Sequence, residues 1–216
     1  INGSLIENLV VPSTISEIKN FTFAGNCCLK SVELPNSIQS IGVNAFAGCR
    51  NITSVTIPNS VTKISNHAFN ATSIPSFEIP KSVTRIIGNP FISYTLSSLK
   101  VEEGNPVYDS HNGCNAVIHS KSKILVAGSA STIIPNDVVE IGSFAFTNNK
   151  LLTAITIPET VTIIGDYSFA YCQALTSVTM QKGVKHIGAS AFNYCDKLKA
   201  ITLPESIELV GTYAFE

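Results

Sequence analysis

The densest group of side chains able to do chemistry lies at Asp109, His111, Cys114 and His119. A thiol nucleophile, an imidazole base and a carboxylate behind the imidazole are the parts of covalent catalysis, and the same three groups are also ligands for zinc. The spacing supports neither reading. A nucleophile and its base must converge in an enclosed pocket, whereas Asn105-Pro106, Asn112-Gly113 and Ser120-Lys121-Ser122 punctuate this stretch as the turns of a hairpin. No Cys-x-x-Cys or His-x-x-x-His pair offers zinc a tetrahedral set. The rest of the chain has no glycine-rich phosphate loop, no serine-centred nucleophile elbow and no carboxylates paired at an informative spacing. We therefore expect no catalytic residue, no metal site and no cofactor. If the stretch has a role, Tyr108, Asp109, His111 and Asn112 are its candidate contacts with a partner. His67 and His186 are expected at the surface.

Composition narrows the partners. Fourteen basic and fifteen acidic residues leave a net charge of −1 in 216 residues, which excludes phosphate neutralisation as a source of affinity for nucleic acid. Only 13% of residues are charged, so 25 Ser, 18 Thr and 18 Asn do most of the solubilising. No apolar run approaches the roughly 18 residues of a membrane-spanning helix, and residues 1–20 lack the charged start and apolar middle of a secretory signal. The chain starts at Ile1 without Met and is expected to be a segment of a longer array.

What must position any functional side chain is a repeat. Phe recurs at 23, 46, 69, 91, 146, 169, 192 and 215, mostly in steps of 23 residues. Pro12, Pro35, Pro58, Pro80, Pro135, Pro158 and Pro204 run in the same phase, with Gln181 where the eighth would stand. Each unit opens with alternating apolar, β-branched positions such as Val55 and Ile57 or Val178 and Met180, which reads as a short strand that Pro then ends. A second extended piece, Ser-Val-x-x-Ile, follows. Gly42, Gly142, Gly165, Gly188 and Gly211 read as turn residues with an unhindered backbone, and the Ala-Phe step reads as one short helical turn. So short a unit is one coil of a solenoid, and it buries its apolar edge only against its neighbours.

The unit L-x-x-V-x-I-P-x-S-V-x-x-I-G-x-x-A-F-x-x-C, seen at 29–49, 152–172 and 175–195 and with departures at 52–72, resembles the BspA-like leucine-rich repeats of the Treponema pallidum type. The resemblance implies a mainly β, right-handed leucine-rich-repeat solenoid with short strands and 3-10 turns, here a single one over 1–216. It also implies a bacterial cell-surface or secreted protein that adheres to host extracellular protein, glycan or another cell without being an enzyme. The alternative is a structural spacer or self-assembling repeat array, with end-to-end self-association of its coils.

Between the strand end near Glu102 and Pro135 the spacing leaves about ten residues more than one coil needs, so 103–134 is an enlarged irregular coil with a β-hairpin and a third strand. The resemblance favours an architectural role for it over a ligand-binding one, and for stability we expect it to be ornament on the scaffold. Shortening 105–123 to a tight turn should leave thermal unfolding nearly intact. The strand face presents Ser31/Glu33, Ser54/Thr56, Ser76/Glu78, Ser98/Lys100, Ala154/Thr156, Ser177/Thr179 and Ala200/Thr202, and apart from Ala154 and Ala200 these are the candidate binding residues. The row is small and nearly uncharged and has no aromatic anchor, which favours weak, multivalent or glycan binding. Cys49, Cys172 and Cys195 share one slot with Asn26 and Asn149, the pattern of a small side chain bonded to backbone at a buried turn. Asn-x-Ser/Thr sequons begin at Asn2, Asn20, Asn51 and Asn70, and in a chain so rich in Asn, Ser and Thr chance explains them as well as glycosylation does.

Overall fold

Proline sets the period of the backbone. The strands Ser31–Glu33, Ser76–Ile79 and Ala154–Ile157 each stop just before Pro35, Pro80 and Pro158, which have no N–H to extend a ladder. Gln181 shows what the proline slot forgoes, because its N–H does bond Ile157 O of the preceding coil at 3.0 Å. After the proline the chain turns tightly, with Ile38 N–H on Pro35 O and Val161 N–H on Pro158 O, both at 3.1 Å. The serine of the P-x-S step then crosses to the coil before it. Ser37, Ser60, Ser82 and Ser206 donate to Ile15, Ile38, Val61 and Val184 carbonyls at 2.6–2.8 Å.

In the computed structural model, which describes residues 5–216, the chain forms two units, Ile1–Tyr108 and Asp109–Glu216, each a mainly β solenoid. Asn2 lies outside the described residues. In the first unit Asn8–Val10 pairs in parallel with Ser31–Glu33, and Ser76–Ile79 with Ser98–Val101. Glu17–Ile18, Ser40–Ile41, Lys63–Ile64 and Arg85–Ile86 form a second, four-stranded parallel row. In the second unit Ala154–Ile157 pairs with Ser177–Met180, while Glu140–Ile141, Ile163–Ile164, His186–Ile187 and Leu209–Val210 continue as a parallel row. The second extended piece expected in each repeat is this row of two-residue strands.

The Ala-Phe step differs from its expectation. It is a run of tight turns in which the residues two before and two after Phe are left-handed: Asn44 (φ 52°) and Gly48 (φ 75°) around Phe46, Tyr167 (φ 54°) and Tyr171 (φ 61°) around Phe169. The physical reason is hydrogen bonding between coils. Tyr167, Phe169 and Tyr171 donate their N–H groups to Ala189, Ala191 and Asn193 of the next coil at 2.8–2.9 Å, while Ser168, Ala170 and Cys172 bond locally, three residues back. A helical turn would direct every N–H along its own axis and leave none for the neighbour. The invariant-phase glycines also have a different cause from the one expected. A Cβ on Gly188 would lie 2.5 Å from Asp166 N of the preceding coil, so glycine is there because two backbones touch.

The phenylalanines form the core columns. Phe46, Phe69, Phe91, Phe146, Phe169 and Phe192 are fully buried, and Phe146, Phe169 and Phe192 stack with centroids 4.8 and 5.0 Å apart. Where one coil is a residue short, Phe77 comes in at a tilt, 5.1 Å from Phe69 and 5.0 Å from Phe91.

The enlarged coil holds the expected hairpin, Ala116–His119 antiparallel to Ile124–Gly128, and Tyr108–Asp109 is the further short strand. It is no ornament. Ile124 and Leu125 pair in parallel with Glu140 and Ile141, so the hairpin starts the second unit's row. Cys114, Ala116, Ile118 and Leu125 belong to that unit's apolar core. In the first unit, Asn105 Nδ2 donates to Pro80 and Val83 carbonyls at 3.1 and 2.9 Å.

Phe169→Ala should cost about 3–5 kcal/mol in urea unfolding. Replacing 109–122 by a short turn should destabilise by a similar order and not pass silently, because it removes core residues and a strand. Gly188→Ala should cost about 1–3 kcal/mol through overpacking. Ala71→Gly, at φ 56°, should be neutral or gain up to about 1 kcal/mol.

Candidate functional site

The strand face is built unevenly. Thr156 and Thr179 are exposed and directly opposite each other in register, as are Ala154 and Ser177. In the first unit Ser76, Glu78 and Lys100 are exposed, Ser98 is half-buried opposite Ser76, and Lys100 reaches Glu78 at 3.1 Å. That pair is open to solvent on both sides and contributes little to stability. Ser31 is half-buried and donates to Asn8 Oδ1 at 2.7 Å, and Glu33 is exposed beside it.

Ser54, Thr56 and Thr202 are exposed, but the strands expected around them do not form. Ladder pairing therefore stops beside the two-stranded ribbons and leaves shallow grooves there. One is lined by Ser177, Thr179, Met180, Ala200, Thr202 and Pro204. Another lies between Thr132–Ile134 and Ala154–Thr156, and a third, in the first unit, joins Thr56 and Ile57 to Glu78 and Glu102. What the sequence presents as one continuous face is thus a set of ribbons with open edges.

Of the residues singled out near the hairpin, Tyr108 is not a surface contact. It is buried, and its hydroxyl accepts the Ile86 N–H at 2.8 Å. Asn112 is exposed at φ 56° on the 3-10 turn His111–Gly113. Asp109 and His111 bond each other through Oδ1 and Nδ1, His111 Nε2 lies 3.1 Å from Asp137 Oδ1, and Asp137 Oδ2 lies 2.8 Å from Lys123 Nζ. Ser120 Oγ donates to Asp109 Oδ2 at 2.7 Å. Ser120 therefore meets a carboxylate and not the His111 imidazole. The serine that meets an imidazole is Ser122, whose Oγ lies 2.8 Å from His119 Nδ1 on the exposed hairpin turn, where nothing encloses the pair as a nucleophile and its base require. Cys114 is buried with its thiol pushed above the ordinary range by desolvation, and His119 Nδ1 accepts the Ser122 N–H at 3.1 Å. Among the described residues no group of three His, Cys, Asp or Glu side chains could hold a metal ion, and no helix is long and apolar enough to cross a membrane.

Sequence reasoning missed Ser120, Lys123 and Asp137. A signal was present for Asp137, because it stands two residues after Pro135, where other coils carry Ser37, Ser60, Ser82 or Ser206. His67 also departs from expectation. It is half-buried at φ 58°, and burial lowers its pKa below the usual imidazole value. His186 is half-exposed, 3.7 Å from Glu208.

The cysteine slot is built as its sharing with Asn implies. Cys49, Cys172 and Cys195 donate their thiols to the Phe23, Phe146 and Phe169 carbonyls of the preceding coils at 3.0–3.2 Å. Asn149 at the same slot accepts the Leu151 and Leu152 N–H groups. All six cysteines are free thiols. Burial pushes Cys49 and Cys195 up to about 11, and Cys172 higher still.

The repeat now has a counterpart among known proteins. The pattern of the BspA type leucine rich repeat region matches residues 2–112 and 128–216, in six copies, and leaves out the hairpin. The chain belongs to this BspA-type leucine-rich repeat family. Its fold is that of a leucine-rich cell surface protein from Faecalibacterium prausnitzii, at a TM-score of 0.76 and 22% identity over 99% of this chain and 71% of that one. The pneumococcal vaccine antigen PcpA is similar at a TM-score of 0.78 and 24% identity over 95% of this chain, which spans only 58% of that protein. A leucine-rich repeat protein from Eubacterium ventriosum matches at 0.57 and 22% identity, covering 98% of this chain and 82% of that one. No curated protein matches the sequence.

Within the family's coil, the thiol ladder should be inert. A thiol-reactive disulfide reagent at pH 8, mapped by mass spectrometry, should modify exposed Cys27 in the native protein and reach Cys49 and Cys172 only after unfolding.

Proposed function

We propose that this protein is a non-enzymatic, cell-surface or secreted interaction module that binds a host extracellular protein or glycan through the Ser/Thr face of its coils. The observation that carries this reading is the two-stranded ribbon Ala154–Ile157/Ser177–Met180. It presents Thr156, Ser177 and Thr179 in register and has an open groove along each edge. An unpaired parallel edge offers N–H and C=O groups to an extended partner, and neighbouring hydroxyls can add hydrogen bonds to peptide or sugar. The absence of aromatic anchors from the row favours modest affinity at each coil, multiplied by engaging several coils at once. The similar fold of a leucine-rich cell surface protein and of a vaccine antigen supports a place outside the cell.

The test is a binding screen of the monomeric protein against extracellular-matrix proteins and a glycan array. A hit should weaken at least tenfold in the double variant Thr156→Lys/Thr179→Lys, with unchanged thermal unfolding. No retention of any ligand, or equal retention by the double variant, would overturn the reading.

A further inference from the structure

Both ring nitrogens of His111 face carboxylates, Nδ1 toward Asp109 Oδ1 and Nε2 toward Asp137 Oδ1. A neutral imidazole has one N–H and one lone pair, so it can donate to only one of two ionised carboxylates. Only the imidazolium satisfies both, and the geometry by itself selects the charged ring. The carboxylates come from opposite sides. Asp109 ends the strand Tyr108–Asp109 ahead of the turn, and Asp137 lies after the hairpin at the repeat's serine slot. In other coils that slot ties down the coil before it by a neutral hydroxyl, as Ser60 does with Ile38 O. Here the coil before it is the enlarged one, and the tie is a charge pair.

We propose that His111 is a pH-operated latch: its imidazolium fastens the exposed turn His111–Gly113 to Asp137, and loss of the proton releases that turn while the hairpin stays docked. The hairpin has its own attachments. Lys123 Nζ holds Asp137 Oδ2 at 2.8 Å, Ile124–Leu125 pairs with Glu140–Ile141, and Ile133 N–H bonds Cys114 O at 3.1 Å. The groups that face the ring or its partners are Asp109 on its own segment, Ser120 on the hairpin turn, Lys123 on the hairpin's second arm, and Asp137. The buried Cys114 thiol senses both carboxylates. The hydrogen bond to Asp109 raises the His111 pKa above its ordinary value of 6.5, against a smaller opposing effect of desolvation. The Asp137 carboxyl is held below its usual range first by its bond from Lys123.

These directions fix the sign. A raised histidine pKa contributes order that is fully present below about pH 6.5 and is lost as pH rises through the folded-state value. Depressed carboxylates add the opposite limit, because the latch also opens once acid protonates Asp109 and Asp137. The turn is therefore tightest in mildly acidic solution and loosens toward alkaline pH. It carries Asn112 at the surface, so protonation sets the pose of the most exposed part of the enlarged coil.

An NMR titration of the histidine rings, with amide hydrogen exchange at His111 and Cys114, whose N–H groups bond Asp109 Oδ1 and His111 O, tests the latch. In the intact protein His111 should titrate above 6.5, and protection of these amides, corrected for intrinsic exchange, should fall roughly fivefold across that titration. Asp137→Asn should lower the His111 midpoint and loosen the turn even at pH 6, with the Val117 and Ile118 amides remaining protected as evidence that the hairpin is intact. His111→Gln should be loose and independent of pH. A midpoint at or below 6.5, pH-invariant protection in the intact protein, or a His111→Gln turn as protected as the parent at pH 6 would each overturn the proposal.

Discussion

The coils around Phe23, Phe46, Phe69, Phe146, Phe169 and Phe192 each give alternate turn N–H groups to the coil that follows, and that exchange constrains all else. Phe144, Phe146 and Asn148 donate forward to Asp166, Ser168 and Ala170, and Tyr167, Phe169 and Tyr171 to Ala189, Ala191 and Asn193. On the short-strand side the direction reverses, with Gly165 N–H on Ile141 O and Gly188 N–H on Ile164 O. A buried peptide group without a partner is costly, so neighbouring coils must keep the same length and phase. From that follow the 23-residue period, the ring columns at one-coil spacing and the left-handed residues on either side of Phe23, Phe46, Phe69, Phe146, Phe169 and Phe192.

The constraint relaxes in two places. Ladder pairing lapses beside the two-stranded ribbons, and these are the places where grooves and open edges appear. The enlarged coil is the other relaxation. Its ten or so extra residues repay their ordering by burying Cys114, Ala116 and Ile118, and what they expose is a short turn governed by charge. In a chain with 13% charged residues, a cluster of His111, Asp109, Asp137 and Lys123 is a local concentration of the side chains that the repeat otherwise avoids.

Much of this was legible in the residues. The Phe and Pro phases gave the coil, the shared Cys/Asn slot gave the thiol-to-carbonyl bonds, and the spacing from Glu102 to Pro135 located the hairpin. Three of the readings that went astray share one reason, that each depends on a neighbouring coil. Glycine at 188 looked like a turn residue because the backbone of Asp166 beside it is 22 positions away in sequence. The Ala-Phe step looked helical because local propensity says nothing of N–H groups claimed by the next coil. The hairpin looked dispensable because Ile124 and Leu125 show no sign, in sequence, of pairing with Glu140 and Ile141.

The sequence by itself determined the repeat, its phase, the identity of the core side chains and the place where the repeat is interrupted, because period and hydrophobic pattern are properties of one chain read in order. Only the tertiary structure decided which backbone edges stay open, that Tyr108 is sealed inside, and that Asp137 meets His111. Those outcomes depend on the distance between coils, and a difference of an ångström or two there separates a hydrogen bond from a groove.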